Sequence, residues 1–93
     1  IDAYVVDLVA ATRQHPQVRL GASPRAALHL LRASRASAAL SGRSHVLPDD
    51  VQRLAGPVLA HRLVLTTDAH LSRTSAQDIV AELVARVPLP AGA

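Results

Sequence analysis

The sequence predicts an all-α fold, a small bundle of about four helices, and three observations carry that reading. Apolar residues recur at helical spacing in four separate stretches. Serine or proline stands at the head of three of them, where helices start. The chain has no Phe, Trp, Met or Cys, and Tyr4 is its one aromatic residue, so the core is built from Leu, Val and Ala, side chains that let helices approach closely. At 93 residues there is room for one modest core. The domain is expected over residues 1–90, with 91–93 as a tail.

The first helix is expected from Ile1 to Gln14, where Ile1, Tyr4, Val5, Leu8 and Thr12 share a face. It ends at His15, because a residue before proline is pushed out of the helical region. A short extended link over Val18 to Ala22 follows. The second helix starts at Ser23-Pro24 and runs to about Leu40, with Ala27, Leu28, Leu31, Ala38 and Ala39 inward and Gly42 as its stop. Ser23 is the expected side-chain cap, Pro24 suits the first helical position, and Gly21 is read as supplying backbone angles closed to other residues. Pro48 opens the third helix, expected to reach Leu63 with Val51, Leu54, Val58, Leu59 and Leu63 facing inward and a kink or break at Gly56-Pro57. The segment from Thr66 to Thr74 lacks periodicity and is expected to be a loop. The last helix is capped by Ser75 and continues to Arg86, before Pro88 and Pro90.

The net charge of +3 comes with ten arginines and no lysine. These arginines are scattered singly, without aromatic residues between them to stack on bases, so a nucleic-acid partner is not expected. No apolar run approaches a membrane span, so no membrane is expected as a partner, and the absence of cysteine fits a cytoplasmic location. The chain holds no glycine-rich phosphate loop ending in lysine, so it is not expected to be an enzyme by itself or to hold a cofactor unaided. His15, His29, His45, His61 and His70 form no i, i+4 pair, and no metal site is expected. Asp49 and Asp50 are adjacent on a helix, about 100° apart, and are read as first-turn acids that favour the helix dipole.

Arg25 is the candidate functional residue. The first turn of a helix favours an anion through its free N–H groups and the positive end of the dipole, and a guanidinium placed there adds a planar fork of donors. A phosphate is the ligand that combination suits. The plain alternative is a helix start with a solvated arginine, and His29 and Arg32, on the same face, are read as a solvated stripe. His61-Arg62 follows an apolar helix and is placed to hydrogen-bond across the domain. Two other classes stay open at this level: a helical protein-docking module, and a weakly basic nucleic-acid-binding domain.

The order Tyr4-Val5-Val6-Asp7-Leu8-Val9, Thr12-Arg13, Leu20-Gly21-Ala22-Ser23-Pro24-Arg25-Ala26, Gly42-Arg43, Val46, Pro48-Asp49-Asp50-Val51, Val58-Leu59 and His61-Arg62 resembles the C-terminal helical lid of MoxR-type AAA+ ATPases. The match runs from Tyr4 to Pro90. It departs at Leu47, where the family often has threonine, and at Gly56-Pro57. The resemblance implies a lid that follows a nucleotide-binding core on the same chain. It implies that Arg25 is the sensor 2 arginine, acting in catalysis and in binding the terminal phosphate, and that Tyr4 and its helix lie near the adenine. The cofactors it implies for the full-length protein are ATP and Mg. The implied partners are the core domain, neighbouring subunits of a ring oligomer such as a hexamer, and a protein with a von Willebrand factor A domain. The implied activity of the whole protein is ATP hydrolysis in chaperone-like remodelling. Some related ATPases present this arginine to a neighbouring subunit, so action in cis and in trans both stay open.

Overall fold

Pro16, Gly42 and Pro48 divide the first two thirds of the chain into three helical segments. In the computed structural model, which describes residues 1–89, each of them stands at a helix boundary. Helix α1 spans Asp2–Gln14, and His15 leaves the helical region at ψ 130° ahead of Pro16. Strand β1 (Val18–Leu20) leads to α2 (Pro24–Leu40), which ends as Gly42 takes a φ of +76° and the Arg43 N–H closes back on the Ala38 carbonyl at 2.9 Å. Helix α3 (Pro48–Leu59) passes into a 3-10 turn over Ala60–Arg62 and then strand β2 (Val64–Leu65). Helices α4 (Thr67–Leu71) and α5 (Ala76–Arg86) complete the described chain. Pro90 and the expected tail over 91–93 lie outside the described residues.

The core lies where α1, α2, α3 and α5 meet, with Tyr4, Leu8, Leu30, Val51, Leu59 and Ile79 all buried. The bundle is the one expected, with additions and corrections. The link after α1 is paired: β1 and β2 run antiparallel, with Val18 opposite Leu65 and Leu20 opposite Val64. The segment read as a loop holds α4, whose cap is the Thr66 hydroxyl accepting from the Ala69 N–H at 3.2 Å. A five-residue helix anchored by the single buried side chain of Ala69 is too short to show a period.

On α2 the buried stripe is Ala26, Leu30, Ser34 and Ala38, so of the expected Ala27, Leu28, Leu31, Ala38 and Ala39 only Ala38 is buried, and Ala39 is exposed. Leu28 is exposed and Leu31 only half-buried. Small side chains face inward because α2 packs closely on α3, and Ser34 is tolerated in the core because its hydroxyl donates to the Leu30 carbonyl at 2.8 Å. Helix α3 does not break at Gly56-Pro57. Pro57 sits on its exposed side within the helix, and the chain tightens only at the 3-10 turn after Leu59, short of the expected Leu63.

Asp50 calls for a further correction. Asp49 is the exposed first-turn acid that was expected, but Asp50 is completely buried and ties the α2–α3 corner together. Arg43 donates to both of its oxygens at 2.7 and 2.8 Å, the Leu47 N–H donates at 2.9 Å, and the Ser37 hydroxyl at 3.3 Å. Arg43, the Leu47 N–H and Ser37 hold the Asp50 carboxyl below the usual carboxylate range against the cost of burial, and Asp50 in turn raises Arg43. Leu47 offers no side-chain acceptor to the first turn of α3, and the Asp50 carboxylate reaches back to accept from the Leu47 N–H, the other half of a capping box.

The helix caps give a paired prediction. Ser75 accepts from the Asp78 N–H at 3.0 Å, and the Asp78 carboxylate accepts from the Ser75 N–H at 3.1 Å, a reciprocal capping box. Ser23 adopts the extended cap backbone, φ −82° and ψ 167°, yet its hydroxyl makes no cap hydrogen bond. Ser75→Ala should therefore cost about 1 kcal/mol, while Ser23→Ala should stay within about 0.5 kcal/mol of the parent. Urea denaturation of the two variants checks the order, and equal losses would restore Ser23 as a side-chain cap.

Candidate functional site

The site is built from the last turn and a half of α1 and the segment that crosses it. The buried Thr12 hydroxyl donates to the Val9 carbonyl at 2.6 Å and accepts from the Ala22 N–H at 2.9 Å. The Arg13 Nε donates to the Ala22 carbonyl at 3.0 Å, so both backbone polar groups of Ala22 are held by α1. Gly21 permits this approach. A Cβ there would stand 2.7 Å from Cγ of Arg13 and 2.8 Å from its backbone N and Cα. Gly21 is therefore needed for space, and the expectation that it supplies a backbone angle closed to other residues is corrected: among the described glycines only Gly42 has a positive φ.

Gly21→Ala tests the clamp. The Arg13 side chain can swing aside but its backbone cannot, so the crossing segment must lift, at a cost of about 1–3 kcal/mol. A thermal melt of the variant gives the answer, and an unchanged midpoint would show that the segment is not pinned to α1.

The clamp fixes where α2 begins. Ala22 and Ala26 are buried on either side of the start, Ser23 is extended, and Pro24 takes the first helical position. Arg25, one residue later and between those two anchors, is turned to solvent. Among the described residues its guanidinium has neither a hydrogen-bond partner nor a carboxylate within salt-bridge distance. It is a cation in a defined place with its donors free. A shallow groove of about 240 Å³ opens beside it, lined by Val6, Val9, Ala10, Arg13, Pro24 and Ala27. A cavity of about 570 Å³ lies near the opposite end of α2, among Ile1, Leu31, Arg35, Ala38 and Val46, and does not include Arg25.

The other candidates separate. Arg32 and Arg35 are exposed farther along α2. His29 is not part of a solvated stripe, since its Nδ1 lies 2.8 Å from Nη2 of Arg62, a bond from α2 to the 3-10 turn. The expected reach of His61-Arg62 across the domain thus belongs to Arg62, while His61 is exposed. Tyr4 is buried in the core, 2% exposed, and its hydroxyl accepts from Nε2 of Gln52 at 3.3 Å. Sequence reasoning missed His15, also buried, which accepts the Gln17 N–H at Nδ1 and meets Glu82 through Nε2 at 3.0 Å, joining α1 to α5. Its only signal was its place before Pro16. Among the described residues no three His, Cys, Asp or Glu side chains gather where they could hold a metal ion. No helix of the described chain is long and apolar enough to cross a membrane.

The AAA lid domain family matches residues 10–83. The uncharacterized protein YeaC of Bacillus subtilis is 43% identical over 97% of this chain and 28% of its own length. Chaperone MoxR1 of Mycobacterium tuberculosis is 41% identical over 94% of this chain and 26% of its own length. A crystal structure of a protein assigned as an ATPase from Cytophaga hutchinsonii superposes with a TM-score of 0.90 and 31% identity, over 96% of this chain and 30% of that one. The chain thus spans less than a third of the length of these relatives. With four helices packed as observed and the match running from α1 into α5, the chain belongs to the AAA lid domain family, as a lid of the MoxR type.

Proposed function

We propose that this lid, taken as residues 1–90, follows an AAA+ core on the same chain and supplies a sensor 2 arginine, Arg25, to a nucleoside triphosphate bound by that core or by the core of a neighbouring subunit. The observation that carries the reading is the free, exposed guanidinium in the first turn of α2, on a helix start pinned to α1 through Gly21 and Ala22. Such a group meets phosphate oxygens with a planar fork of donors, and it stabilises negative charge that develops as the terminal phosphoryl group is transferred. Mg2+ would be held by the core, since the lid's part is cationic. The lid alone hydrolyses nothing in this reading.

Tyr4 enters through its helix. Tyr4 and Arg13 lie nine residues apart on α1, about 13 Å along its axis, and Arg13 is at the α2 start. An extended nucleotide would lie along α1 with its base toward the Tyr4 end and its phosphates toward Arg25. Because Arg25 sits on a rigid bundle, gain or loss of the terminal phosphate would move the whole lid. That movement would drive chaperone-like remodelling by a cytoplasmic ring of subunits, with a von Willebrand factor A domain protein as a partner. The test is ATP and ADP affinity of the full-length protein with Arg25→Ala against Arg32→Ala and Arg35→Ala. Equal behaviour of the three would overturn the reading.

A further inference from the structure

We propose that His29 donates a second hydrogen bond to the anion that Arg25 meets, and that Arg62 is the positioning residue that makes His29 a donor. The inference rests on the phosphate-binding reading of Arg25 and adds a group to the same site. Arg62 is anchored by its Nε, which donates to the Val58 carbonyl at 3.1 Å, and its Nη2 stands 2.8 Å from Nδ1 of His29. A guanidinium has no acceptor, so Nδ1 must accept. An imidazole that accepts at Nδ1 is neutral and carries its proton on Nε2.

Nε2–H is thereby a donor by construction, and among the described residues it has no acceptor of its own. His29 follows Arg25 by four residues on α2, which puts their Cβ atoms about 5–6 Å apart on one face. That spacing suits two oxygens of one polyphosphate chain. The Arg62 charge at Nδ1 polarises the imidazole and strengthens the Nε2–H as a donor. Half-burial of both His29 and Arg62 keeps the pair from being wholly hydrated, and the bond to Val58 keeps the guanidinium from swinging away.

The experiment is calorimetric titration of the full-length protein with a slowly hydrolysed ATP analogue and with ADP. His29→Ala should weaken the analogue about 3–10-fold, as expected for one lost neutral donor. Arg62→Met, which keeps the length of the side chain and removes every donor toward Nδ1, should produce a loss of the same size, and the double variant His29→Ala/Arg62→Met should lose no more than either alone. Arg62→Lys, which retains a donor toward Nδ1, should recover most of the affinity. Thermal midpoints report whether each variant is folded, and the His29 variants carry the test should Arg62→Met unfold. Losses that add in the double variant would overturn the positioning role. If His29→Ala leaves the affinity unchanged while Arg25→Ala weakens it, the inference is wrong and the reading of Arg25 stands. If Arg25→Ala is also without effect, the phosphate reading itself fails.

Discussion

Asp50→Asn should lower the Tm of the chain by about 10–20 °C, the largest stability loss expected for one substitution outside the apolar core. Asparagine keeps the size of the side chain but turns an N–H2 group toward Arg43, which has only donors to offer. The guanidinium, 27% exposed, then loses both of its charged partners at 2.7 and 2.8 Å. The Leu47 N–H and the Ser37 hydroxyl compete for the one carbonyl oxygen that remains. Arg43→Lys should cost less, since an ammonium keeps the charge and one bond while losing the second.

The same residue sets the acid limit. Because Arg43, Leu47 and Ser37 hold the folded carboxyl below its ordinary range, the unfolded chain binds a proton at higher pH than the folded chain does. Asp50 thus contributes its full stability above the ordinary carboxylate pKa of about 4, and that contribution is lost as pH falls through the depressed value. Glu82, lowered by His15 and by Arg86, and Asp78, lowered by the Ser75 N–H and hydroxyl, act in the same direction. Stability should fall below about pH 4–5, and Asp50→Asn should flatten that acid limb. Melts from pH 2 to 7 check both statements, and an Asp50→Asn midpoint equal to the parent at pH 7 would show that the corner does not depend on the ion pair.

Helix ends were legible because each depends on one residue and its neighbours. His15-Pro16, Gly42 and Ser75 all act where the sequence placed them. The place of Arg25 was legible for the same reason, since Pro24 at the first helical position fixes its neighbour. What holds that start in space was not legible. The Thr12 and Arg13 bonds to Ala22 join residues nine and ten positions apart, and the demand for glycine at 21 comes from the backbone of another helix. Ser23 misled because its backbone is that of a cap while its hydroxyl is not used. On α2 the stripe read from Ala27, Leu28, Leu31, Ala38 and Ala39 was rotated from the true one, because the face that packs on α3 is Ala26, Leu30, Ser34 and Ala38, and a buried serine breaks the apolar pattern. Asp50 was invisible as a structural hub because its partners Ser37 and Arg43 lie in the preceding helix and loop, and adjacent acids at a helix start have a sufficient local explanation.

Arg25→Ala in the full-length protein should weaken ATP binding about tenfold to a hundredfold while changing ADP binding much less. The side chain is exposed and free of partners among the described residues, so its removal leaves the packing around Ala22 and Ala26 in place, and loss of function would not follow from unfolding. A charge-assisted hydrogen bond contributes roughly 1.5–3 kcal/mol, which sets the size of the effect, and ADP lacks the terminal phosphate that the guanidinium would meet. Turnover should fall as well, because the developing charge on the transferred group loses a donor in a water-poor site. Arg25→Lys should restore part of both, since a point charge cannot reproduce the planar fork. Arg32→Ala and Arg35→Ala remove equal charge from the same helix at greater distance from its start, and they should leave the ATP-to-ADP ratio near that of the parent. Calorimetry with both nucleotides, steady-state turnover and circular dichroism on all four variants separate the cases. A loss at Arg25 no larger than at Arg32 and Arg35 would mean that only general charge is being read, and that Arg25 is a solvated residue at a helix start.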